Sequence, residues 1–149
     1  MRNHARGLVL VVLWLVGLTI ACAGSGKGLD EFGSPLGEGG GGVLEPTFSS
    51  IQANIFTPIC TQCHAGASAP LSFSLQAGFS YDQLVGVPSV EVPELSRVDP
   101  GQPDNSYVVM KIEGAPGITG GRMPLGLSPL SAERIAAVRG WIADGALEN

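Results

Sequence analysis

Three cysteines, two histidines and three methionines are all that this 149-residue chain offers a soft metal or a redox centre. His4 and Met1 lie at the extreme N-terminus, so a folded domain has only His64, Met110 and Met123 to draw on. Basic residues are scarce too, with 8 Lys and Arg against 13 Asp and Glu and a formal charge of −5. Such a balance lacks the cationic surface that nucleic-acid phosphates require, and no nucleic-acid partner is expected. Convincing strand-like alternation of apolar and polar residues is missing throughout, which argues against a sheet and for a helical fold.

The single long apolar run occupies residues 8–20, behind Arg2, His4 and Arg6 and ahead of small residues around Ala21. A charged start, a short apolar middle and a small-residue end are the layout of a secretory signal peptide, here residues 1–22. An uncleaved membrane anchor fits less well, because a spanning helix needs roughly 18 or more apolar residues. The stretch Leu18-Thr19-Ile20-Ala21-Cys22 resembles the lipobox of bacterial lipoproteins, in which the cysteine becomes the lipidated first residue of the mature chain. Ile20 and Ala21 fit that pattern and Thr19 departs from it. Ala21 and Ala23 also offer a small-x-small site to ordinary signal peptidase, which would remove Cys22. A cysteine directly behind an apolar run that ends in Ala favours lipidation. Both routes lead to export, to a bacterial periplasm or cell envelope, and the first adds a lipid anchor in a membrane. Loss of Arg2 and Arg6 in processing takes the formal charge from −5 to −7.

Residues 23–45 hold nine glycines, including the run Gly39 to Gly42, and few large apolar side chains. Such a segment cannot bury enough surface to offset the entropy of ordering it, so a flexible Gly-rich linker is expected. A phosphate-binding glycine loop is the sharper alternative, but no Gly-Lys-Ser/Thr follows and no strand pattern precedes it. The folded domain is therefore placed at residues 46–149.

Within it, Phe48, Ile51, Ile55 and Ile59 recur at helical spacing behind Thr47, a candidate N-cap, and Pro58 distorts or ends the last turn so that Cys60 begins a new geometry. Ser80 and Gln83 have the spacing of a capping box for one or two helical turns closed by Gly86. Four prolines at 88, 93, 100 and 103 make residues 87–103 an extended loop. Asp104 is expected to cap a short helix carrying Tyr107, Val108, Met110 and Ile112 and ending at Gly114. Residues 115–126 are a Gly/Pro loop around Met123. Ser131 then caps a helix in which Ile135, Val138 and Ile142 form one stripe, flanked by Trp141, and Gly145 ends the helix. The expectation is an all-α domain of three to five helices whose thin core calls for a staple.

Cys60-Thr61-Gln62-Cys63-His64 has the Cys-x-x-Cys-His spacing of covalent c-type haem attachment. Two thiols three positions apart on one turn can add to the two vinyl groups of one porphyrin, and the next residue directs its imidazole at the iron. Cys60 and Cys63 are the expected thioether anchors of one haem c, and His64 its proximal axial ligand. A structural zinc site would need four Cys or His ligands, and beyond these three the mature chain has only Cys22. A redox dithiol of the thioredoxin kind expects a βαβ setting. A plain Cys60 to Cys63 disulfide is the bland alternative in an exported chain.

With no second histidine in the mature chain, a bis-histidine iron is excluded and the sixth ligand is Met, Lys, water or nothing. Met110 sits in an expected helix, where methionine is most often core filler. Met123 stands in a Gly/Pro loop 59 residues after His64, where no helix explains it. Met123 is the preferred sixth ligand, with Met110 as the alternative.

The segments CTQCH, RMPLG and LSAERIAAVRGWIADGA, with RVDPGQPDNSYVVMKIEG ahead of the second, together resemble a class I c-type cytochrome of the exported, lipoprotein-like kind. The resemblance covers roughly residues 47 to 147. It implies a cytochrome c-like fold around the haem, His64 and Met123 as axial ligands, and a C-terminal helix crossing the N-terminal one with Trp141 near Phe56. Arg122, beside Met123, is a candidate partner for a haem propionate or simply an exposed arginine.

An iron with both axial positions filled has no place for a small-molecule substrate, so the expected role is one-electron transfer to a redox partner protein and not enzymatic catalysis. The alternatives are a sensory or peroxidase-like haem module with a labile sixth ligand, and a non-haem disulfide or metal-binding lipoprotein.

Overall fold

A computed structural model describes residues 44–149. The expected signal peptide, the lipobox cysteine Cys22 and nearly all of the glycine linker lie outside the described residues. At the linker's end, Leu44 already packs against the core, so the folded unit begins slightly ahead of residue 46.

Four α-helices are found among the described residues: α1 Phe48–Ile51, α2 Ser80–Leu84, α3 Tyr107–Glu113 and α4 Ala132–Ala143. No named strand accompanies them, only isolated bridges between Val85 and Val98 and between Pro88 and Ser96. The domain is helical, as the missing alternation implied.

Thr47 caps α1 as expected, its hydroxyl accepting from the Ser50 amide at 3.3 Å. Beyond Ile51 the helix widens over Gln52–Phe56, where the Thr57 amide donates back to the Gln52 carbonyl. Such widening often marks functional stretches. It keeps Ile51, Ile55, Phe56 and Ile59 all facing the core. Past Pro58 a single tight turn, Cys60–Gln62, takes over.

Ser131 caps α4 through the Arg134 amide. Trp141, flanking the Val138 and Ile142 stripe, is 1% exposed, and its ring meets Phe48 at 5.5 Å between centroids. Phe48 in turn touches Phe56 at 6.4 Å and Tyr81 at 5.1 Å, so it stands as the intermediary in the contact expected between Trp141 and Phe56. Gly140 permits the crossing of the two ends: a Cβ there would lie 2.9 Å from the Pro46 ring.

Two expected caps are corrected. Ser80 is the first residue of α2 and makes no capping bond. Its buried hydroxyl donates to Gln52 Oε1, and Gln83 Oε1 accepts from the Ser74 amide, so both polar groups are spent on tertiary contacts. Asp104 lies in a separate turn, Pro103–Asn105, and Ser106 holds the N-cap position of α3. Asp104 pairs instead with Arg139, which also reaches Glu113 at 3.0 Å and so ties α3 to α4. Gly114 ends α3 at φ +70°, where a Cβ would be strained and would also meet the Arg122 stem. Among the described residues every buried side-chain nitrogen and oxygen has a hydrogen-bond partner.

Candidate functional site

The turn behind α1 brings the motif together through its backbone. The Cys63 and His64 amides both donate to the Cys60 carbonyl, at 3.2 and 2.8 Å. Cys60 is half-buried, Cys63 is exposed, and the two are not bonded to each other. Both line a cavity of about 340 Å³, at the lower end of the range for small-molecule and cofactor sites. Its walls are mostly apolar, with Ile55, Ile59, Leu75, Ile112 and Val138 among them.

His64 also lines the cavity, and its Nδ1 lies 3.1 Å from the Phe73 carbonyl oxygen. A carbonyl only accepts, so Nδ1 carries the hydrogen in this contact, and in the neutral ring the lone pair then lies on Nε2. A hydrogen bond of this kind fixes tautomer and ring orientation in metal-binding histidines. The Phe73 ring stands edge-on to the imidazole, with centroids 5.3 Å apart.

Burial, with the neighbouring Cys63 second, pushes the Cys60 thiol up to about 12. A redox dithiol needs the opposite shift, so this environment speaks against one. Among the described residues no group of three or more His, Cys, Asp and Glu side chains could hold a metal ion, and the zinc alternative gains nothing. Nor is any helix there long and apolar enough to cross a membrane.

Met123 lines the same cavity as the motif. Its loop is held by α3 at several points: the Met123 amide donates to the Lys111 carbonyl, the Thr119 amide to the Tyr107 hydroxyl, and Lys111 Nζ to the Thr119 carbonyl. Met110 does not line the cavity. The side of α3 that does carries Tyr107, Val108, Lys111 and Ile112, and at 100° per residue Met110 falls on the far side. Arg122 is likewise absent from the lining; its stem lies against Gly114.

Three charged residues of the lining escaped the sequence reading. Glu91 and Arg97 come from the proline-rich segment and Lys111 from α3. Lys111 is 8% exposed and paired with Glu91 at 2.9 Å. Arg97 lies over the Phe73 ring, 4.6 Å from its centroid, and Nη1 donates to the Gln83 carbonyl at 2.8 Å. It has no carboxylate partner among the described residues, and burial lowers its pKa. Charges twenty and more positions apart carry no periodic signal that they meet. Comparison with family models, curated proteins and solved structures gave no match to this chain.

Proposed function

We propose that the chain is an extracytoplasmic monohaem c-type cytochrome, a one-electron carrier of cytochrome c-like fold tethered to a membrane through Cys22. The observation that carries this reading is the lining of one apolar cavity by Cys60, Cys63, His64 and Met123 together. Free Cys60 and Cys63 would hold the haem through thioethers, and His64 and Met123 would bind its iron. The residues present fit that group. His64 has Nδ1 engaged and Nε2 available, the walls suit the faces of a porphyrin, and Arg97, with no carboxylate partner among the described residues, brings a cation suited to one of its carboxylates.

When bound, the haem supplies a reversible one-electron iron couple. The chain's own residues define its use. With His64 and Met123 both holding the iron, no position would remain for a substrate; the methionine would raise the potential above that of a bis-histidine site, and the apolar walls would raise it further by disfavouring net charge. A basic redox partner would complement the acidic chain.

The test is a haem-stained band that survives denaturing electrophoresis, from chain exported in a host that attaches haem. Cys60→Ala/Cys63→Ala loses the stain, and the reduced wild type shows a sharp α band that carbon monoxide does not shift. A wild type without covalent haem, or stain retained in the double variant, overturns the attachment. Immediate carbon monoxide binding at neutral pH favours the sensory or peroxidase-like module over the carrier.

A further inference from the structure

We propose that Gln83 and Arg97 are positioning residues for His64, acting through Phe73. Only the redox consequence rests on the haem reading above. Phe73 follows two consecutive non-glycine residues in the left-handed region, Leu71 at φ 56° and Ser72 at φ 54°. L-residues adopt that region reluctantly, so surrounding contacts must hold such a segment in place. Two of these contacts converge on Phe73 from α2 and from the proline-rich loop. Gln83 Oε1 accepts from the Ser74 amide at 2.7 Å and fixes the backbone directly after Phe73. The Arg97 guanidinium covers the Phe73 ring at 4.6 Å and is itself anchored at 2.8 Å to the carbonyl of the same Gln83.

Guanidinium, phenyl ring and imidazole therefore follow one another, with the Phe73 and His64 centroids 5.3 Å apart. With its ring covered and the next amide tethered, the Phe73 carbonyl is held on His64 Nδ1. A firm hydrogen bond there makes the imidazole more basic and favours oxidised iron. Loosening it raises the potential, whereas removing a nearby positive charge lowers it, and the opposite signs separate the two roles.

Gln83→Leu removes the Ser74 tether without changing charge. Arg97→Lys keeps the charge but loses the planar fork and its stacking, and Arg97→Met removes both. Exchange of the His64 Nδ1 proton, followed by NMR in haem-loaded and haem-free chain, is expected to be roughly five- to tenfold faster in Gln83→Leu and Arg97→Lys. Both variants are expected to raise the reduction potential of the loaded protein. Unchanged exchange and potential in the folded variants, or a fall in potential confined to Arg97→Met, overturns the proposal. Arg97→Lys, a change at a half-buried position, carries the test if circular dichroism shows Gln83→Leu to be unfolded. Should the wild type carry no haem, the cytochrome reading falls, and proton exchange in the haem-free chain still decides the positioning role.

Discussion

The Met123 amide donates to the Lys111 carbonyl at 2.8 Å, and the Lys111 ammonium simultaneously binds Glu91 Oε2 at 2.9 Å and the Thr119 carbonyl at 2.7 Å. One buried lysine thus joins the proline-rich segment, α3 and the methionine loop. Glu91→Ala leaves an ammonium buried beside a single carbonyl, and a loss on the order of 2–3 kcal/mol is expected. Lys111→Met keeps the volume and leaves a glutamate that water reaches, so about 1 kcal/mol is expected. Urea midpoints of the two variants check the order.

Met123→Ala removes the cavity's only methionine among the described residues. In the haem-loaded protein it is expected to open the iron to carbon monoxide at neutral pH, whereas Met110→Ala leaves the reduced spectrum and its insensitivity to carbon monoxide unchanged. Optical spectra with and without the gas decide between the two methionines.

The corrected caps predict an order of stability loss. Ser80→Ala leaves the buried Gln52 Oε1 without its donor and should cost about 1–3 kcal/mol. Ser131→Ala removes a true N-cap, at about 1 kcal/mol. Asp104→Ala removes only an exposed ion pair with Arg139 and should stay within about 0.5 kcal/mol. Thermal or urea unfolding of the three single variants measures the order; a large effect at Asp104 would contradict the assignment of Ser106 to the cap position.

The Cys60 thiol gives the haem-free chain a pH dependence of definite sign. Its pKa rises from 9.0 unfolded to about 12 folded, so the neutral thiol is favoured by folding. That contribution is fully present below pH 9.0 and is lost as pH climbs towards about 12. Unfolding midpoints across that window should fall in the wild type and flatten in Cys60→Ala. At neutral pH, iodoacetamide should alkylate the exposed Cys63 well before Cys60.

Elements governed by neighbouring residues could be read from the chain directly. The Thr47 and Ser131 caps, the Gly114 terminus and the change of geometry after Pro58 each depend on a few adjacent positions, and each is found where local stereochemistry puts it. The errors share one cause. Ser80, Gln83 and Asp104 have capping chemistry, but Gln52, Ser74 and Arg139 compete for the same polar atoms from distant positions. Trp141 was expected near Phe56, and the structure adds Phe48 as the ring between them, a neighbour that spacing along α4 does not reveal.

By itself the sequence determined a helical domain, the Cys60-Cys63-His64 triplet and the small set of methionines that could complete it, because spacing along one chain is a local property. Only the tertiary structure decided that Met123 and not Met110 shares a cavity with that triplet, and that Phe73 holds the imidazole. It also gave the proline-rich segment its part, with Glu91 pinning Lys111 and Arg97 covering Phe73. These partners are brought together by burial of apolar surface, which has no direction along the chain, and the polar contacts then form among whichever groups that burial leaves adjacent.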